Sequence, residues 1–151
     1  MKFCRSIPRI CHLEFSGPIL EGLVPLHKFG ITHRASTVSI SAYALPEVQL
    51  HALLDTVAAK ALRCEMSHAL NTARRQRLGG RASSSEHFSV RPPQSPAPIA
   101  ESEHRIAALD VDLLEDGIFA ISLHTEDGCS ATLFLSRLRC AAILDDMAEW
   151  L

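Results

Sequence analysis

Aromatic side chains are scarce: six Phe, one Trp and one Tyr make up 5% of 151 residues. Any core must therefore be mostly aliphatic and alanine-rich. Long apolar runs are missing too. Nothing approaches the roughly 18 consecutive apolar residues that suggest a membrane-spanning helix, so no contact with a membrane is expected. The first residues, MKFCRSIPRICHLEF, have a positive flank but lack the continuous apolar stretch of a secretory signal. No acid precedes Glu14, as in a mitochondrial presequence, but Pro8 and the absence of helical periodicity argue against one. Cysteine spacing is irregular. The five cysteines, Cys4, Cys11, Cys64, Cys129 and Cys140, are odd in number, which points to reduced thiols and a cytoplasmic setting.

Catalytic motifs are absent as well. The chain has no G-x-S-x-G elbow, no G-x-x-x-x-G-K-[ST] phosphate loop, no H-E-x-x-H and no G-x-G-x-x-G. Eight histidines are present but scattered, so none marks a metal tract or a general base with an evident partner. No cofactor is expected, and the reading leans away from an enzyme.

The net charge of −2 conceals a division. Residues 1–100 carry 12 Lys+Arg and 6 Asp+Glu, whereas residues 101–151 carry 3 and 11. Such a split suits two halves that attract each other, or a basic region with an acidic partner.

Pattern divides the chain into four stretches. Residues 1–30 are read as irregular, because Pro8, Pro18, Gly22, Pro25 and Gly30 interrupt any long element. Residues 31–78 are read as a strand followed by a long helix. Val38, Ile40 and Ala42 alternate with polar neighbours. Pro46 then suits a first helical turn, and Leu50, Leu54, Val57, Ala61 and Cys64 form an apolar seam of a helix over 46–78, bending near Ser67–Thr72. Residues 79–103, with three consecutive serines and four prolines, are read as a flexible linker.

Residues 104–151 carry the strongest pattern. Two Glu-Asp-Gly triplets, ending at Gly117 and Gly128, separate three alternating apolar runs before an amphipathic helix. Asp-Gly between such runs predicts hairpins. The fold class expected is therefore α+β: an N-terminal strand and long helix, a Pro/Ser linker, then a three-stranded antiparallel meander followed by one helix.

Site candidates are few. Cys64 and His68, four apart on the expected helix, could supply two ligands of a zinc site if Cys4, Cys11, His12, His27 or His33 supplied more. Arg74, Arg75, Arg77 and Arg81 form a basic cluster that could contact the phosphates of nucleic acid. Asp110, Asp112, Glu115 and Asp116 are read as surface acids and turn chemistry, since Leu113 and Leu114 interrupt a calcium-loop spacing. The favoured function is a small non-catalytic protein acting through protein–protein contacts or self-association, with the helix seam and the meander's edges as contact surfaces. The alternative is a nucleic-acid-associated regulator using Arg74–Arg81.

Overall fold

A computed structural model describes residues 11–16, 22–44, 49–76, 86–91 and 104–150. Nine strands and two helices follow one another in the order β1 (His12–Ser16), β2 (Leu23–Pro25), β3 (Lys28–Arg34), β4 (Thr37–Tyr43), β5 (Gln49–Asp55), α1 (Thr56–Arg75), β6 (His87–Arg91), β7 (His104–Leu113), β8 (Phe119–Thr125), β9 (Ser130–Leu135) and α2 (Arg137–Trp150). All nine strands belong to one antiparallel sheet, ordered β2-β6-β9-β8-β7-β1-β5-β4-β3.

This overturns the expected fold class in three places. First, residues 49–55 are a strand and not the opening of a long helix; α1 starts only at Thr56. Leu50 and Leu54 satisfy a spacing of four and an alternation equally well. The alternation wins because β4 and β1 flank β5 and bond its backbone on both sides. Second, the Pro/Ser linker contains β6, whose buried Phe88 and Val90 alternate with His87, Ser89 and Arg91. Third, the meander β7-β8-β9 is no separate module. β1 pairs with its one edge and β6 with its other, so neither edge is open as a contact surface. The expected helix seam is split: Leu50 and Leu54 enter the core from β5, whereas on α1 Val57 and Cys64 are exposed and Ala61 is half-buried, and the helix buries Ala58, Leu62, Met66 and Leu70 instead. Pro46 and residues 77–85 fall outside the described residues.

The topology contains a duplication. In each half a lone strand precedes a three-stranded meander and a helix, and the lone strand returns to pair with the meander's last strand. The first half is ordered β1-β5-β4-β3 and the second β6-β9-β8-β7. The registers match position by position. Val38 opposes Leu54 as Phe119 opposes Leu135, and Ile40 opposes Ala52 as Ile121 opposes Leu133. Each helix then follows its strand at the same interval, so Leu62 and Met66 stand where Ile143 and Met147 stand, all four buried. Both helices are capped at equivalent residues. Asp55 accepts from Ala58 N at 2.8 Å, and Ser136 Oγ accepts from Arg139 N at 3.2 Å.

Even the far side of each cap is matched. The backbone N–H of Asp55 donates to Cys11 Sγ at 3.2 Å, and that of Ser136 donates to Glu86 Oε2 at 3.1 Å. Cys11 and Glu86 each stand just ahead of their lone strand. In both halves, therefore, the first strand is fastened to the N-terminus of the helix that ends its unit.

β2 and β3 form opposite ends of the strand order, yet only Leu26 and His27 separate them in sequence. Leu26 N donates to Glu86 O and His27 N to Tyr43 O, handing the chain from β6 to β4. The sheet must therefore curl until its two edges approach. Its inner face and the two helices share one continuous core drawn from both halves. α1 packs against β7, β5, β4 and α2. Fully burying a side chain such as Leu54, Leu135, Met66 or Met147 contributes about 1.5–3 kcal/mol, so the shared core joins the units strongly.

Candidate functional site

Once β5 is a strand, alternation sorts its side chains. Leu50, Ala52 and Leu54 point into the core, and His51 and Leu53 lie on the outer face with Ser39 and Ser41 of β4. Cross-strand register then brings an imidazole between two hydroxyls. His51 Nε2 lies 3.0 Å from Ser39 Oγ, and Nδ1 lies 2.9 Å from Ser41 Oγ. A neutral ring accepts from one serine and donates to the other.

Beside this trio is a groove of about 560 Å³, lined by Thr32, His33, Arg34, Thr37, Ser39, His51 and Leu53. Its lower wall is the two-residue turn between β3 and β4, where Arg34 opposes Thr37. That turn is pinned twice: Thr37 Oγ1 donates to Arg34 O at 3.1 Å, and Thr56 Oγ1 donates to Ser36 O at 3.1 Å. It also holds Ala35 at φ 48°, a conformation that costs a residue with a Cβ about 1–2 kcal/mol. The groove is therefore framed by fixed backbone.

The second half has the scaffold without the histidine. Ser122 and Thr132, at the positions of Ser41 and His51, share a hydrogen bond of 3.2 Å, and Ala120 replaces Ser39. An imidazole between hydroxyls is thus a departure of one unit from the common plan. Nucleophilic catalysis is not what this trio suits. Both ring nitrogens are occupied by serine hydroxyls, and the opposing Glu14 of β1 is held by His12 Nε2 at 2.7 Å, so no carboxylate orients His51. Sequence reasoning missed this site because a helical reading of 49–55 turns His51 away from Ser39 and Ser41. An alternating reading of Leu50, Ala52 and Leu54 would have found it.

The sequence-derived candidates lie elsewhere. Cys64 and His68 are both exposed on the outward face of α1, while Cys11 is buried against Asp55, His12 bonds Glu14 and His33 stacks on Trp150 at 5.4 Å. Among the described residues no group of three or more His, Cys, Asp or Glu could hold a metal. Arg74 and Arg75 are exposed in the last turn of α1, where they complement the helix dipole; Arg77 and Arg81 lie outside the described residues. The acids near Gly117 act locally, Asp116 Oδ1 accepting from Ile118 N and Asp110 Oδ2 lying 3.2 Å from His124 Nε2.

The outward face of the helix pair has its own character. The exposed charges of α1 are Lys60, Arg74 and Arg75 and those of α2 are Asp145, Asp146 and Glu149, while Arg63 and Glu65 of α1 and Arg137 of α2 are half-buried. Val57 and Leu138 occupy the same position after their respective caps, and both are exposed, at 54% and 66%. An exposed apolar residue therefore stands at each helix start.

Three polar clusters are interior braces. Cys11 Sγ donates to Asp55 Oδ1 at 3.4 Å, and burial first, then the Asp55 carboxylate, pushes its thiol up to about 11. His104 is 1% exposed and its Nδ1 lies 2.6 Å from Asp127 Oδ2, while Thr125 Oγ1 donates its one proton to Asp127 Oδ1 and lies 2.9 Å from Cys129 O. Burial opposes ionisation of Asp127, but hydrogen bonds from Thr125 and His104 prevail and hold its carboxyl below the ordinary value. Glu86 accepts from Arg139 Nη2 at 2.7 Å and Nε at 3.1 Å, and Arg139 lies over the Phe29 ring at 5.1 Å.

A scan against protein-family models finds no match to this chain, and searches of curated proteins and of solved structures find none either. Among the described residues no helix is long and apolar enough to cross a membrane.

Proposed function

We propose that this chain is a non-catalytic module acting through protein–protein contacts, and that its partner is a second copy of itself, met through the outward face of the helix pair. One observation carries the reading: equivalent exposed apolar residues, Val57 and Leu138, on two neighbouring helices of opposite outward charge. A two-fold arrangement lays α1 of each protomer against α2 of the other, so the complementary contact is made twice. Lys60, Arg74 and Arg75 then face Asp145, Asp146 and Glu149. Charge sets orientation and register in such a contact, while removing Val57 and Leu138 from water supplies affinity.

The test is molar mass in solution at low and high salt, for the native chain and for Leu138→Asp. The reading expects a dimer that weakens as salt rises and that the substitution abolishes. A monomer under all conditions would remove it. The second reading, nucleic-acid contact, draws on Arg74 and Arg75 standing exposed on the same helix face as Lys60. Binding of duplex DNA or RNA that persists unchanged when Arg74, Arg75 and Arg77 become Gln would eliminate that alternative.

A further inference from the structure

We infer that the outer groove of β3–β5 binds a small organic molecule carrying an oxyanion, a phosphate or carboxylate group, with Arg34 as its charged anchor. Four observations converge on this. The groove's lining holds the Arg34 guanidinium, the His51 imidazole and three hydroxyls beside Leu53, and no carboxylate, while the His33 ring, paired with core-facing Val38, stacks on Trp150. The His51 ring is held by Ser39 and Ser41 and the Thr37 hydroxyl is spent on Arg34 O, so Arg34 is the chief donor, and its planar guanidinium fork matches an oxyanion with two parallel bonds. The carboxylate that opposes His51 in the register, Glu14, is engaged by His12 and does not enter the lining. Arg34 itself is exposed, so its fork is open to solvent on the groove's rim.

Size narrows the ligand class. About 560 Å³ lies within the 300–1,000 Å³ typical of small-molecule pockets and exceeds what a bare inorganic anion fills. Leu53 offers an apolar floor for the remainder of the molecule. The backbone that carries Arg34 is preset: Thr37 and Thr56 pin its turn, and Ala35 is kept in the left-handed region despite its Cβ. A strained residue retained beside a donor-lined groove fits a site whose geometry matters more than the local energy. Ser39 and Ser41 hold the His51 ring, which fixes the direction of the lining hydroxyl and imidazole. The second half has Ala120 and Thr132 in these places, without the imidazole or the Ser39 hydroxyl, and serves as an internal contrast.

The test follows the ring C–H resonances of His51 by NMR while phenyl phosphate, benzoate or inorganic phosphate is added to the full chain. Sodium chloride holds the ionic strength constant. The expected result is saturable shifts at the His51 ring with phenyl phosphate or benzoate, with weaker effects from inorganic phosphate. Saturation by phenyl phosphate alone assigns a phosphate ligand, by benzoate alone a carboxylate ligand. Arg34→Gln, at an exposed position, should weaken binding about tenfold, the loss of one charge-assisted contact, with Arg34→Lys in between. No saturable shift with any probe, or shifts unaltered in Arg34→Gln, would overturn the assignment.

Discussion

Breaking the Glu86–Arg139 pair should show how the second unit is fastened. Glu86 stands just ahead of β6, and its carboxylate takes the N–H of Ser136 at 3.1 Å, Arg139 Nε at 3.1 Å and Arg139 Nη2 at 2.7 Å. Its side chain is 16% exposed and that of Arg139 36%, so the pair is neither fully wet nor dry. Exposed pairs couple by about 0.2–1 kcal/mol and breaking buried ones costs about 3–5 kcal/mol, which places this coupling near 2 kcal/mol. The cycle uses Glu86→Gln, which keeps an oxygen for Ser136 N–H, and Arg139→Met, which keeps an apolar stem against Phe29. Urea unfolding of the native chain, both single variants and the double variant gives the coupling directly. A coupling below about 0.5 kcal/mol would refute the reasoning, since the pair would then be no more than a solvated surface contact.

Acid titration adds a signed check on the same pair. Burial by itself would raise the Glu86 carboxyl, but hydrogen bonds from Arg139 and Ser136 N–H hold it below its ordinary value of 4.5. A carboxyl lowered by folding contributes its full stability above the unfolded value and loses it as pH falls through the folded one. The stability gap between native chain and Glu86→Gln should therefore be constant near neutrality and narrow below pH 4.5. A gap that widens on acidification would contradict the sign.

Further outcomes follow from backbone conformation and from the thiols. Ala35→Gly should stabilise the fold by about 1 kcal/mol by relieving a positive φ, whereas Gly128→Ala, at φ 86° with open space around it, should cost about as much through strain alone; urea midpoints measure both. Cys64 is exposed, whereas Cys11, Cys129 and Cys140 are buried, with thiols pushed up to about 11, 12 and 12, burial being the largest cause in each. A thiol reagent near neutral pH should therefore modify Cys64 in the folded chain and reach those three only on unfolding, as peptide mapping would show.

Legibility in the sequence followed locality. The turns at Gly117 and Gly128 take positive φ, and the alternation of Phe119, Ile121 and Leu123 places all three in the core, because both signals arise within a few residues. β5 failed because Leu50 and Leu54 fit two periods, and only distant partners, β1 and β4, settle which one applies. β6 failed for a different reason. Its five residues lie between serine and proline runs, and composition averaged over the stretch hides the buried Phe88 and Val90. The duplication was invisible as well. Equivalent places hold Asp55 and Ser136, Cys11 and Glu86, or Val57 and Leu138, so role persists where identity does not. The groove inherited these errors, since His51 meets Ser39 and Ser41 only across the β4–β5 register.

Light scattering on the purified chain tests the central functional claim most directly. At low salt the account predicts a particle of twice 16.5 kDa, dissociating as salt screens α1 from α2 and absent in Leu138→Asp. A particle of 16.5 kDa at every salt concentration, unchanged by Leu138→Asp, would contradict it.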